Sequence, residues 1–382
     1  MVTACKHAID WHYRAIVTNW SFFAEEFNIA FMNNTILQEL AQYAHWSPSA
    51  DNSQPWRIEA REQSLSVYYD AARVSDKTFP ASSPATLLAI GAMLESLITC
   101  AESWGMQAHL ELAENPGDNS EHHYATVSFG KLPSAASKAP QIARHTNRGS
   151  YTRQPVPESL STALATDTEG EARSWFSQAP ADLQHLQGTV KIASWIRFQT
   201  QEVHEWLGRS LRFTPDEVAQ GDGLDVATLG LPPGGGSFLR LISDWGRMRQ
   251  LNKLGIYRLL AAIDSAPVGK GPAALAVIAP LTAHATINAG RLMSRQWTRL
   301  NEAGLDVHPY YVIGDQLARS ANDQIPEPLK PLAGQVRADA ASLLKLAEGE
   351  TLHMLLRVGY ARKKAIRSRR VPLNRVFKAV ID

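Results

Sequence analysis

Two long helical stretches, half a chain apart, are punctuated alike, and this recurrence constrains the 382-residue chain more than any other feature. Residues 84–104 place Leu87, Leu88, Gly91, Leu94, Leu97, Ile98 and Ala101 on one face. Gly91 and Ala92 flatten that face for close helix packing, and Gly105 is suited to cap its end. Residues 284–303 form a second helix with Gly304 as its cap, after a short apolar run, AALAVIA (273–279), that reads as a buried strand. Each copy gives a strand, a helix with a glycine near its start, a glycine cap and another extended segment. The pattern predicts a duplicated α+β unit rather than two unrelated domains.

Composition narrows the function classes. Lys+Arg number 38 against 37 Asp+Glu, a formal charge of +1, so the chain as a whole is not an electrostatic nucleic-acid binder. At 45% hydrophobic and 20% charged residues, a sizeable core is expected and wholesale disorder is excluded. Cys5 and Cys100 cannot build a disulfide framework or a cysteine-rich zinc site. No run reaches the ~18 apolar residues of a membrane span, and the opening residues, with Asp10 and scattered His and Arg, do not read as a secretory signal. A cytoplasmic location is expected, with no membrane and no nucleic-acid partner.

Along the chain, a helix runs from about Asn34 to the Trp46-Ser47-Pro48 break, followed by the loop SPSADNSQPW (47–56) and two short strands within 57–70. Strands are expected at 107–114 and 123–130, a Pro/Ser/Ala-rich linker at 131–141, a helix at 157–166 and another near 189–210. Residues 221–237 read as a Gly/Pro-rich loop too long for a turn, and residues 352–358 as a strand before a basic tail.

Three segments could carry chemistry. In the first, Pro48, Ser49, Asn52, Gln54 and Pro55 offer uncharged donors and acceptors on a stiffened loop, which suits a planar polar heterocycle and equally suits a self-satisfying capping turn. In the second, RHTNR (144–148), Arg144, Thr146 and Arg148 share one face of an extended segment, as a phosphate site or a solvated basic loop would. The third is the tail 356–378, with nine Lys+Arg and no acid, in which Arg367, Ser368 and Arg369 could reach a phosphate. Residues 1–356 carry a net −7, so the chain's neutrality hides a basic segment on a mildly acidic body. There is no HExxH, no GxSxG, no P-loop and no GxGxxG after a strand, so zincin, α/β-hydrolase, P-loop and Rossmann readings fall.

Taken in order, PSADNSQPW (48–56), RHTNR (144–148), the helix at 284–304 and RSRR (367–370) resemble the FMN-dependent nitroreductase superfamily. In that family the basic segment precedes the NxQPW loop, whereas here the loop comes first. The fused arrangement, with Asp70-Ala-Ala-Arg73 before the first long helix, resembles the Acg-like branch. The resemblance implies two tandem degenerate copies of an antiparallel or mixed sheet with flanking helices, an intramolecular pseudo-dimer holding one composite flavin site. The halves expected are 31–135 and 136–382, after an N-terminal extension at 1–30.

Carried over, Arg144 and Thr146 would bind the FMN phosphate, completed by Arg367 and Arg369. Arg148 would meet the pyrimidine edge. Pro48, Ser49, Ala50 and Asn52 would contact the ring, with Gln54 and Trp56 shaping the loop. Pro309 and Tyr311 would lie near the reactive nitrogen, and 221–237 would form a lid. The implied activity is an NAD(P)H-dependent FMN oxidoreductase acting on a quinone, nitroaromatic or related acceptor, by a monomeric pseudo-dimer or a homodimer. The alternative is a flavin-sequestering stress protein.

Overall fold

A computed structural model describes residues 34–74, 78–131, 142 and 144–380. The expected extension 1–30, and all but the first residue of the expected linker 131–141, lie outside the described residues.

The first half begins with helix α1 (34–44), which buries Ile36, Leu37, Leu40, Ala41 and Ala44. Strands β1 (Trp56–Arg61) and β2 (Ser64–Tyr69) follow as a tight antiparallel hairpin. In β1, Trp56, Ile58 and Ala60 face the core and Arg57, Glu59 and Arg61 face outward, the alternation of a half-buried strand. Helix α2 (Pro84–Ser103), started by Ser83 accepting from the Thr86 N–H, leads to β3 (Ala108–Leu112) and β4 (His123–Phe129). Among the described residues α2 alone is long and apolar enough to cross a membrane, and it is a buried core helix.

The second half opens with α3 (Glu158–Thr166), β5 (Thr168–Glu169) and β6 (Ala172–Ser177). A helical insertion follows: α4 (Pro180–Gln199), α5 (Gln201–Ser210), α6 (Pro215–Ala219), α7 (Gly235–Ile242), α8 (Trp245–Lys253) and α9 (Ile256–Gly269), with β7 (Leu211–Arg212) and β8 (Leu224–Asp225) between them. Then come β9 (Ala273–Pro280), α10 (Ala283–Glu302), β10 (Asp306–Tyr310), α11 (Val312–Ala321), α12 (Lys330–Leu344), β11 (Glu350–Gly359) and β12 (Phe377–Ala379).

The sheets run β12-β1-β2-β4-β3 and β5-β6-β9-β11-β10, and β1-β2-β4-β3 corresponds in order to β6-β9-β11-β10, while the edge strands β12 and β5 differ in direction and chain position. In each, the strand before the long helix and the strand after it flank a third, and the pairs within this three-stranded unit are antiparallel. The duplicated α+β unit expected from the two helices is therefore present as topology. The halves differ in their connections. Between β1 and β2 lie two turn residues, Glu62 and Gln63, whereas between β6 and β9 lies the whole insertion. Continuous burial of β9 follows from its position: Ala274, Ala276 and Ile278 pack with α4, while Leu275, Val277 and Ala279 pack with α10.

The Gly-rich stretch 221–237 is not a plain loop. Its last glycines open α7, with Gly234 in the left-handed region at the N-cap. The helix expected near 189–210 is two helices, α4 and α5, which meet at Thr200, a residue with extended backbone.

The halves meet where α2 crosses α10. A Cβ on Gly91 would collide with the Ile287 carbonyl, and one on Gly290 with that of Leu88. Around this crossing Glu95 accepts from Arg291 Nε at 3.1 Å and from Arg295 Nη1 at 2.9 Å, and both arginines also reach Glu169. Burial pushes the Glu95 carboxyl up, and the two guanidinium groups oppose that shift. After β11 the chain leaves its own sheet and adds β12 parallel to β1, with Ile58 opposite Phe377 and Ala60 opposite Ala379.

Gly91→Ala should therefore destabilise the protein by about 3 kcal/mol, because neither helix backbone can retreat. The exposed Gly334→Ala in α12, where a Cβ meets nothing within 4 Å, should be neutral or stabilising by up to about 1 kcal/mol. Chemical denaturation of the two variants compares them directly, and equal effects would refute the close crossing.

Candidate functional site

The loop after α1 holds three non-glycine residues in the left-handed region: Asp51 (φ 46°), Asn52 (φ 58°) and Gln54 (φ 52°). Such backbone costs of order 1–3 kcal/mol per residue and persists only where surrounding bonds impose it. The bonds here are numerous. Gln54 N–H donates to Ser49 Oγ at 2.9 Å, and its amide Nε2 donates to the carbonyls of Asn52 and Gly221 at 2.9 and 3.0 Å. Gln54 Oε1 accepts from Val371 N–H at 3.1 Å, and Asn52 Nδ2 donates to Arg369 O at 3.1 Å. Arg73 Nε donates to the Gln54 carbonyl at 3.1 Å, while Asp70 accepts the Ala72 N–H, so the DxxR element braces the loop from behind. Trp56 Nε1 donates to His45 Nδ1 at 3.0 Å. The proton of His45 therefore sits on Nε2, which donates to Val371 O at 2.9 Å. Gln54, Trp56 and the Asn52 amide nitrogen thus clamp the C-terminal segment to the loop.

The RHTNR segment is extended, and its alternation is used on both faces. His145 and Asn147 turn inward, each bonding Asp306 Oδ1 at 2.9 Å, while Ala361 N–H bonds Oδ2 at 3.1 Å. Burial works to raise the Asp306 carboxyl, but these bonds outweigh it and hold it below the ordinary range. Thr146 forms a parallel bridge with Val307. With the inward residues anchored, Arg144 and Arg148 turn the other way.

Arg144 donates to the Trp46 carbonyl at 2.6 Å and stacks on the Trp297 ring at 4.9 Å. Arg370 reaches the same carbonyl at 3.0 Å and that of Ser47 at 3.1 Å, over the Trp46 ring at 5.3 Å. Burial, then Arg370 and Arg367, pushes Arg144 down to about 9, and burial pushes Arg370 down to about 10. A guanidinium keeps its proton regardless, so both groups stay charged where burial disfavours charge. Arg370 Nε is buried without a hydrogen-bond partner. Among the described residues no carboxylate pairs with Arg144, Arg148, Arg357 or Arg370. These residues therefore fit a bound phosphate or similar anion.

Arg148 is 3.5 Å from Thr228 Oγ1 of the insertion. Near it, Arg357 donates to Gly149 O at 2.6 Å and stacks on Tyr151 at 3.9 Å. The Nδ1 of half-buried His308 is itself buried without a hydrogen-bond partner, and desolvation, then Arg148 and Arg357, holds the pKa well below the ordinary value. Asp51 accepts from Trp206 Nε1 at 2.9 Å; burial pushes its carboxyl up, against that bond and the charges of Arg197 and Arg148.

The structure thus brings the 47–54 loop, Arg144, Thr146 and Arg148, and the tail around Arg370 to one place, from three distant parts of the chain. Pro309 and Tyr311 flank Tyr310 at the end of β10, beside His308, and both are half-buried. Arg367 is exposed and donates to Ile142 O at 2.8 Å. Arg369 contributes its carbonyl to the loop and exposes its side chain, and the next residue, Arg370, points inward. Sequence reasoning missed Arg370, Asp51, Trp206 and His308. Only Arg370 carried a signal, as one more arginine in RSRR.

Comparison with known proteins bears on this arrangement. A protein of Mycobacterium tuberculosis named Putative NAD(P)H nitroreductase acg is 29% identical over 142 residues, 35% of this chain and 42% of that protein. The chain is similar to nitroreductases. Uncharacterized protein MT1398 of the same organism is 26% identical over 280 residues, 71% of this chain and 38% of that protein. The chain spans about two fifths of the length of these curated relatives. Among solved structures, the FMN-dependent nitroreductase NfnB from Mycobacterium smegmatis, in complex with NADPH, is 16% identical with a TM-score of 0.35, covering 62% of this chain and 94% of that one. A nitroreductase with bound FMN from Desulfitobacterium hafniense is 12% identical with a TM-score of 0.33, covering 60% and 91%. No family model matches the chain. The chain itself has an α+β architecture, with the helical insertion between β6 and β9.

His45 in the clamp and His353 on β11, both buried, give the fold a pH signature. Burial pushes the imidazoles of His45 and His353 each down to about 4. The unfolded chain therefore binds these protons first, near pH 6.5. Stability should hold above that value and fall as pH drops toward 4, by up to about 3 kcal/mol for each histidine. Denaturation midpoints measured between these limits check this, and a flat profile would refute the buried neutral state.

Proposed function

We propose that the chain is an FMN-binding oxidoreductase of nitroreductase type that uses NADH or NADPH to reduce a quinone, nitroaromatic or related conjugated acceptor. One observation carries this reading: buried Arg144 and half-buried Arg370 converge, without a carboxylate, on the Trp46 carbonyl. A phosphate ester supplies the missing counter-charge through charge-assisted bonds. FMN, when bound, supplies the hydride and electron chemistry.

The residues divide the remaining work. Arg144, Arg370 and Thr146 hold the phosphate, with Arg367 at its rim. Arg148 places a cation at the pyrimidine edge, where negative charge develops on reduction. Pro48, Ser49, Ala50 and Asn52 present a rigid edge to the ring. The left-handed backbone of Asp51, Asn52 and Gln54 in the same loop is fixed in advance by the Gln54 and Arg73 bonds, so little ordering is left for binding. Pro309 and Tyr311 border the ring's reactive side. The insertion excludes water through Thr228, and a nicotinamide and the acceptor would stack there in turn.

A second reading rests on how firmly the insertion is docked. Trp206 bonds Asp51 and stacks edge-on to Phe79 at 5.3 Å, and Gly221 accepts from both Asn52 and Gln54. A cover held this way suits flavin sequestration. Stopped-flow mixing with NADH or NADPH separates the two: bleaching within catalytic times supports the enzyme, and refractory flavin supports storage.

Arg144→Gln combined with Arg370→Gln should weaken FMN binding by about a hundredfold or more, since a bond to a charged group is worth about 1.5–3 kcal/mol. Fluorescence titration of the purified protein measures this. Unchanged affinity would refute the phosphate assignment, and absence of any flavin binding by the parent protein would refute the function.

A further inference from the structure

The helical insertion has a second face that the site does not use. Its inner side is occupied: Trp206, Gly221 and Thr228 meet the loop and Arg148, and buried Ala261, Ser265 and Val268 set α9 against α4. The outer side is different. Among the described residues seven large apolar side chains are exposed, and six of them, Leu231, Phe238, Leu241, Leu254, Leu259 and Ile263, fall within residues 231–263. Leu254 is 81% exposed and Ile263 59%. Leu259 and Ile263 stand one turn apart on α9, away from the side that packs on α4.

The same stretch exposes five cations, Arg240, Arg247, Arg249, Lys253 and Arg258, against one acid, Asp244. Half-buried Trp245 and Tyr257 add rings with one apolar and one polar end. Arg240 stacks on Phe213 and Arg258 bonds Tyr257 Oη, but no carboxylate pairs with these cations among the described residues. Exposed Leu, Ile and Phe beside such Lys and Arg, on short helices, is the composition of a segment that lies in a lipid headgroup layer. A second copy of this chain fits less well, because a two-fold contact would set five cations against five.

We propose that the α7–α9 face docks on an anionic lipid bilayer, with its leucines and isoleucine in the headgroup boundary and its arginines on lipid phosphates. The sequence-based expectation of no membrane partner rested on the lack of a spanning segment. Lying on a bilayer needs none. The proposal stands apart from the flavin reading, since apart from Leu231, in the 221–237 segment, none of these side chains is used by that reading.

Vesicle flotation of the full chain tests it, comparing phosphatidylcholine with phosphatidylcholine mixed with phosphatidylglycerol. Binding to the mixed vesicles alone, weakened by added salt, is the expected result. Arg247→Glu with Arg249→Glu should reduce partitioning at least about tenfold, each lost cation counting about fivefold. Leu259→Ser with Ile263→Ser should reduce it as well, with the circular dichroism spectrum unchanged in both variants. Absence of binding to anionic vesicles, or equal binding to both vesicle types, would overturn the proposal. Size-exclusion elution as a dimer that the Leu259→Ser, Ile263→Ser variant dissociates, without vesicle binding, would overturn it in favour of a self-interface.

Discussion

The crossing of α2 and α10 is the contact on which everything else depends. Two glycines, one per half, let the backbones touch where any side chain would hold them apart. That approach fixes the spacing of the two sheets, and the spacing decides whether a loop from one half can reach an arginine from the other. Arg144 meets the Trp46 carbonyl only because the halves sit this close. The Glu95, Arg291, Arg295 and Glu169 network surrounds the crossing and sets its register, since each carboxylate oxygen of Glu95 has its own guanidinium. A buried network of this kind specifies one arrangement more than it stabilises it.

The site concentrates cost. Three left-handed non-glycine residues occupy one loop, and two buried guanidinium groups share one carbonyl oxygen. Each would be unfavourable in isolation. They persist because Gln54, Asn52 and His45 tie the loop to backbone groups of the chain's last segment, while Arg73 holds the Gln54 carbonyl. The stability of the surrounding scaffold holds together cations that have no carboxylate partner among the described residues.

Much of this was legible in the sequence, for identifiable reasons. Period and punctuation gave both long helices, the β1–β2 hairpin and the apolar run of β9, and the small-residue face of α2 foretold the crossing. Alternation gave the shared face of Arg144, Thr146 and Arg148, because an extended segment leaves no other choice. The inward turn of Arg370 rather than Arg369 was not legible, since the tail there is irregular and obeys no period. Nor were Asp51 and Trp206, which meet across 155 residues, and local pattern carries no information about such pairs. Residues 221–237 read as a loop because their glycines are helix starters as well as breakers, and the distinction lies in what packs beyond them.

The parallel pairing of β12 with β1 orders events in time as well as in space. A ribosome delivers β1 early and β12 only after nearly all of the described chain has been made. Until then the first sheet has an open edge, and the loop lacks the Val371 and Arg369 backbone groups that hold its left-handed turns. Synthesis thus imposes a checkpoint: the cationic pocket cannot close on an anion until the tail has threaded back across both halves. Chains cut short before Arg370 would leave an unprotected strand edge, the feature by which cellular quality control and aggregation alike recognise an unfinished protein.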